Sequence, residues 1–131
     1  IPDTTLSVGA IFPLILEDAP TERTAAVVDR YLTAPEHFWR PFPVPSVAAS
    51  EPSYDAESEA MIWRGPICMN LNWLLARGLK ANGYAEEART IAERSKEAAL
   101  EDFREFYSPE SGRGMRGTEF GWATAAVAID A

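Results

Sequence analysis

A chain of 131 residues that is 47% hydrophobic, 11% aromatic and 24% charged has the make-up of a single folded globular domain and excludes a disordered one. Its formal net charge of -8 excludes a polyanion such as nucleic acid as partner, because Arg94, Lys96 and Arg104 alternate with Glu93, Glu97, Glu101 and Asp102 as a solvated helix face instead of forming a basic patch. One cysteine, Cys68, excludes an intrachain disulfide, and one histidine, His37, excludes the usual zinc ligand sets, so neither metal nor cofactor is expected.

Ile1 stands where an initiator Met would, which suggests that it is not a native start. No apolar run reaches the length of a membrane span and no signal-like segment is seen, so the expectation is a cytoplasmic protein without a membrane partner. From Leu6 to Leu16 an apolar run interrupted by Gly9 and Pro13 predicts a short helix ending in a loop. Thr21 is placed to cap the next helix, in which Ala25, Val28, Tyr31 and Leu32 share an apolar face up to Thr33.

Residues 35 to 55 carry Pro35, Pro41, Pro43, Pro45 and Pro52, which no regular helix or central strand tolerates. A flexible linker would be poor in large apolar groups, whereas this stretch holds Phe38, Trp39, Phe42, Val44, Val47 and Tyr54. Side chains so dense must pack, and an ordered functional loop is the expectation. Pro66 then fits a first helical position, and Ile67, Leu71, Leu74, Leu75 and Leu79 recur at helical spacing until Asn82-Gly83 ends the helix. Tyr84 opens a partner helix whose apolar side is Ala85, Ala88, Ile91, Ala92, Ala99 and Phe103, and the short connection makes the pair antiparallel. After Ser108-Pro109-Glu110-Ser111-Gly112, strong turn chemistry, Thr118 is placed to cap a last helix through Trp122, Ala126 and Ile129. No strand is predicted, and the fold class read from this pattern is all-α.

The acid with the most unusual surroundings is Glu105, set among Phe103, Phe106 and Tyr107 and ahead of Trp122. Partly desolvated there, it would accept a proton better than a carboxylate in water, which suits a general base. A solvated charge near a helix end is the plain alternative.

Ile62-Trp63-Arg64-Gly65-Pro66, Asn70-Leu71-Asn72-Trp73, Gly83-Tyr84, Glu105-Phe106-Tyr107-Ser108-Pro109 and Phe120-Gly121-Trp122, in this order, resemble the C-terminal part of the catalytic domain of glycoside hydrolase family 63. Phe38-Trp39 and Val44-Pro45-Ser46 resemble its loops, and the likeness runs from about Ile11 to the C-terminus. The resemblance implies that residues 1–131 are part of one (α/α)6 barrel that hydrolyses α-glucosidic or related linkages, glucosyl- and mannosylglycerate types included, with inversion. Glu105 matches the family's general base. By the same resemblance Trp63, Arg64 and Gly65 line the sugar pocket, and Trp39, Tyr107, Trp122 and Glu119 are further candidates to bind carbohydrate. An indole covers the apolar face of a pyranose, an Arg fork donates to hydroxyls, and a helix start at Gly65-Pro66 offers free N–H groups. Core packing for Trp63, an ion pair to Glu59 for Arg64, and a helix-dipole role for Glu119 are the competing readings. Asn72 and Trp73 lie further along the helix in a supporting role.

Two departures bear on the substrate. Cys68 stands where the family often has an aromatic, and Ala123-Thr124 differs from its commoner order. Cys68 is expected to be a small buried hydrophobe and not a nucleophile. The family's general acid is an Asp for which no match occurs in this sequence, so the chain alone is expected to be close to inactive. A helical sugar-binding or assembly module without catalysis is the alternative function. Open helix faces of a partial barrel predict association with the missing half or with a second copy.

Overall fold

The structure, a computed structural model, describes residues 4–129 and sets one short β-hairpin against a helical body. The first element follows from a spacing of three. Val8, Ile11 and Leu14 are the buried residues of an eight-residue 3₁₀ helix, Val8–Ile15, and at three residues per turn they lie in one row. This tighter winding is the form taken by the short helix expected there.

Helix α1 spans Thr21–Val27. Pro20, not Thr21, occupies the capping position, and Thr24 closes the turn by donating both its N–H and its hydroxyl to the Pro20 carbonyl, at 3.0 and 3.1 Å. The chain then widens into a π turn, Val28–Leu32, ended by Thr33, whose N–H donates to the Val28 carbonyl at 3.0 Å. Val28 and Leu32 are buried as expected, whereas Tyr31 stays 37% exposed.

The proline-rich stretch is ordered and packed: Phe38, Val44, Ser46, Val47 and Ala48 are buried. It joins the first helix through an antiparallel bridge, Ser7 to Val47, and its centre is tied to the helices by Asn72. That side chain is fully buried. It donates to the Pro43 carbonyl at 2.7 Å and to the Ser95 hydroxyl at 2.9 Å, and accepts the Val44 N–H at 3.3 Å.

Helix α2, Met69–Ala81, begins after Cys68, three residues later than the Gly65-Pro66 start expected from the proline. The cause is a competing partner: Ile67 donates to the Tyr107 carbonyl at 2.8 Å and accepts from its N–H at 3.2 Å, so the segment is held extended. The helix ends at Gly83, in the left-handed region at φ 88°, where the Asn82 amide also donates to the Gly78 carbonyl at 2.7 Å. Helix α3, Ala85–Glu101, buries Ala88, Ile91, Ala92, Ser95, Ala98 and Ala99, the small-residue stripe that lets two helices approach closely. Phe103 falls beyond it.

The all-α expectation needs correction at the C-terminal third. Strands β1, Arg104–Tyr107, and β2, Gly114–Thr118, pair antiparallel, so Thr118 ends a strand and caps no helix. The last expected helix is a short 3₁₀ segment, Gly121–Ala126, buried through Ala123 and Ala126 with Ile129 behind it. The main core lies between the first helix, α1, α2, α3 and the proline-rich loop. A second, around Ile67, Met69 and Tyr107, sits under the hairpin. Among the described residues no helix is long and apolar enough to cross a membrane, and no group of three or more His, Cys, Asp or Glu is placed to hold a metal ion.

Candidate active site

Strand β1 carries Glu105 at an irregular point of the hairpin. Between the pairs Arg104–Thr118 and Phe106–Met115, β1 advances two residues and β2 three, so one extra residue is inserted opposite Glu105. A bulge of this kind twists the pair and re-aims the facing side chains. Arg116, within it, has a left-handed φ of 61°, and Glu119, just after β2, has 53°. Non-glycine residues in this region cost roughly 1–3 kcal/mol and cluster at functional sites. Arg104 helps to hold Arg116 there, donating to its carbonyl at 2.9 Å while it also pairs with Asp102.

The Glu105 side chain is 25% exposed, and its Oε2 lies 3.9 Å from the Arg116 Nε. A Cβ on Gly117 would stand 3.6 Å from the same Oε2 and 3.8 Å from the Phe120 ring, so Gly117 borders both the carboxylate and the ring. Oε1 accepts no hydrogen bond from the described residues. One oxygen thus faces a cation at long range, and the other is without a protein donor among the described residues. The aromatic neighbours expected for Glu105 from the sequence are placed elsewhere. Phe106 turns away into a cluster with Cys68 and Met115, Tyr107 lies in the second core, and Phe120 and Glu105 both border Gly117.

Behind Glu105 the Cys68 thiol is pushed up to about 12, by burial first and then by the negative charge of Glu105. A thiol so held stays protonated and is no nucleophile.

The remaining expected residues separate into exposed and structural groups. Trp63 is 58% and Trp122 66% exposed, and Trp122 meets the Phe120 ring edge-on at 5.9 Å. Trp63 is thus not a core residue. Arg64 is exposed and donates from Nε to the Ser53 carbonyl at 3.1 Å, while Glu59, the ion-pair partner considered for it, instead meets Arg113 at 3.4 Å. Gly65 is buried, and a Cβ there would stand 2.6 Å from the Asp55 carbonyl oxygen. It belongs to a turn and offers no helix N-terminus. Glu119 is exposed. Trp39 is half-buried against the main core, and Tyr107 is fully buried, its hydroxyl donating to the Asp102 carbonyl at 2.9 Å and accepting the Arg104 N–H at 2.8 Å. With its hydroxyl engaged in this way, Tyr107 fixes β1 and leaves no face for a sugar.

Ser46 joins the parts. Its hydroxyl donates to the Ile62 carbonyl and accepts the Gly65 N–H, both at 3.0 Å, so the proline-rich loop grips the turn that displays Trp63 and Arg64. Sequence reasoning missed the contacts that hold the same loop to the hairpin. Arg40 meets both oxygens of Glu110, and Tyr54 meets one of them; partners 70 residues apart leave no local signal. Three hollows among the described residues lie away from Glu105, one of them, of about 430 Å³, beside Trp73 and Arg77. An apolar one of about 440 Å³ lies between the first helix and α1, and a shallow one of about 350 Å³ lies between Trp73 and Trp122. Chemistry, not concavity, marks the site in this chain.

The helical pair, the proline-rich loop and the hairpin together superpose on part of a solved family 63 glycoside hydrolase. Residues 2–123 match the mannosylglycerate hydrolase MGH1-like glycoside hydrolase domain, and the chain belongs to that family, within glycoside hydrolase family 63. It is 37% identical over 87 residues to a mannosylglycerate hydrolase of Thermus thermophilus, covering 63% of this chain and 19% of that protein. To a mannosylglycerate hydrolase of Rubrobacter radiotolerans it is 36% identical over 74 residues, 56% of this chain and 16% of the relative. The crystal structure of a family 63 mannosylglycerate hydrolase from Thermus thermophilus in complex with glucose superposes with a TM-score of 0.82 at 27% identity, over 98% of this chain and 30% of that one. The enzyme of that crystal structure in complex with Tris and D-glycerate gives 0.80 at 26% identity, over 96% and 29%. The chain thus spans less than a third of the relatives it matches.

Proposed function

We propose that this chain is the base-bearing part of an inverting glycoside hydrolase, with Glu105 drawing a proton from the water that attacks the anomeric carbon. The observation that carries the reading is the Glu105 carboxylate itself: three-quarters buried on a bulged strand, with Oε2 facing Arg116 at 3.9 Å and Oε1 open. In this reading the rest of an (α/α)6 barrel supplies an acid on the other face of the sugar, at roughly 6.5–9.5 Å, to protonate the leaving oxygen. Lacking that acid, the chain by itself is close to inactive.

The substrate class follows the relatives, which include mannosylglycerate hydrolases and a glucosylglycerate hydrolase from Mycolicibacterium hassiacum: an α-linked hexose on a small acid such as glycerate. Trp63 and Trp122, both exposed, supply stacking faces, and Arg64 and Glu119 supply polar contacts at the rim. Trp39, Tyr107 and Gly65 act by holding the frame. The direct test is Glu105→Gln in the full-length hydrolase carrying this chain. Hydrolysis is expected to fall at least about a hundredfold while sugar binding persists. Undiminished hydrolysis would instead favour the alternative, a helical sugar-binding or assembly module.

A further inference from the structure

One carboxylate receives both ends of the proline-rich loop. Arg40 donates from Nε and Nη2 to the two oxygens of Glu110 at 2.8 and 3.0 Å, and from Nη1 to the Pro35 carbonyl at 2.7 Å. Tyr54 donates its hydroxyl to Glu110 Oε1 at 2.7 Å. Beside this network the Phe42 N–H donates to the Pro109 carbonyl at 2.9 Å, and the Phe42 ring lies so close to Gly112 that a Cβ there would come within 2.6 Å of it. The two residues flanking Tyr54 hold a different element. The Asp55 N–H donates to the Arg64 carbonyl at 2.6 Å, and the Ser53 carbonyl accepts from Arg64 Nε at 3.1 Å. Three consecutive residues therefore touch the turn of the base-bearing hairpin and the turn that displays Trp63.

We propose that Arg40, Tyr54 and Glu110 form a positioning unit that sets the Glu105 hairpin at a fixed distance from the Trp63–Gly65 turn. This rests on the reading of Glu105 as base. The magnitudes favour geometry over stability as its purpose. The side chains of Arg40 and Glu110 are 28% and 35% exposed, and a pair of this kind adds at most about 1 kcal/mol to folding. Their paired N–H···O contacts nevertheless fix direction as a single contact does not. A base displaced by about 1 Å from its water costs up to on the order of a hundredfold in rate.

The test is made in the full-length hydrolase with Arg40→Ala, Arg40→Lys and Tyr54→Phe, each beside Glu105→Gln. Arg40→Ala is expected to lower kcat about ten- to a hundredfold with KM within about twofold and Tm near that of the parent. Millimolar guanidinium is expected to restore part of the rate. Arg40→Lys, which keeps the charge and loses the fork, stays low, and Tyr54→Phe is affected less. Should Arg40→Ala fail to fold, Arg40→Lys and Tyr54→Phe decide. Unchanged kcat, a loss that only tracks Tm, a change confined to KM, or a fully active Arg40→Lys would overturn the inference. If Glu105→Gln also remains active, the assignment of the base falls; if Glu105→Gln is inactive and Arg40→Ala is not, only the positioning unit falls.

Discussion

Gly78 of α2 lies directly against the main chain at Leu14: a Cβ added to it would overlap the Leu14 carbonyl oxygen and stand 2.7 Å from the Ile15 Cα. A mid-helix glycine costs roughly 1 kcal/mol relative to alanine, so its presence reflects this backbone-to-backbone approach. Contacts on either side depend on it, since the Asn82 amide reaches the Leu16 carbonyl at 2.6 Å and Arg77 reaches Glu17 at 2.9 Å. Gly78→Ala is therefore expected to lose about 3 kcal/mol despite its better helix propensity. Urea unfolding would measure it, and a loss below about 1 kcal/mol would show that the first helix moves aside easily.

Asn72 is the second stability prediction. Its truncation to alanine leaves the Pro43 carbonyl and the Val44 N–H without their side-chain partner in the interior. Such orphaned groups cost about 1–3 kcal/mol each. Asn72→Ala should destabilise by roughly 3 kcal/mol and should loosen the loop before the helices. Hydrogen exchange at Val44 and Ala48 faster than at Leu75 and Ile91 is the expected pattern, and uniform acceleration would contradict it.

The Cys68 thiol gives a chemical probe of Glu105. With the thiol pushed up to about 12 by burial and by that carboxylate, alkylation of the native chain at pH 8 should run roughly a thousandfold or more below that of a free thiol. Glu105→Gln removes the charge contribution and should speed labelling; an unaltered rate would place the two groups farther apart than found.

Acid should open the loop-to-hairpin contact. Arg40 above all, and then Tyr54, hold the Glu110 carboxyl below its ordinary 4.5, against the opposing effect of burial. The unfolded chain then binds the proton more readily than the folded one, so this contribution is complete above about 4.5 and is lost as pH falls through the lower folded value. Stability measured from pH 6 to 3 should fall less steeply in Glu110→Gln than in the parent. Equal slopes would remove Glu110 from the account.

Association is the fifth expectation. Leu16, Trp122 and Val127 are more than half exposed, and an apolar hollow lies between the first helix and α1. The isolated chain should sediment as a dimer or larger at micromolar concentration, and a monodisperse monomer would oppose this.

The helical pair was legible because its burial is local and periodic: Leu75 and Leu79, then Ala88, Ile91, Ala92 and Ala99, repeat at the spacing of one helix face, and Asn82-Gly83 supplies the stop. The ordered loop was legible from its aromatic content. The hairpin was not, because Arg104–Tyr107 and Gly114–Thr118 show no clean alternation and exist through pairing with each other and with Ile67. The same pairing delayed the start of α2 past Pro66. At the site, the family motif pointed to Glu105, but composition could not foretell that Tyr107 would turn inward. Nor could spacing reveal Arg40 with Glu110.

The π turn at Val28–Leu32 makes the length of the chain a variable of the site. Such a turn holds one residue more than an α turn over the same stretch, so deleting a single residue there would restore regular winding without breaking the helix. The chain would then leave α1 rotated by about 100° and shifted by about 1.5 Å, and everything that follows, from His37 through Arg40 to Tyr54, would have to be re-laid. One-residue deletions between Val28 and Leu32 should thus leave helix content intact while disconnecting the loop from the hairpin.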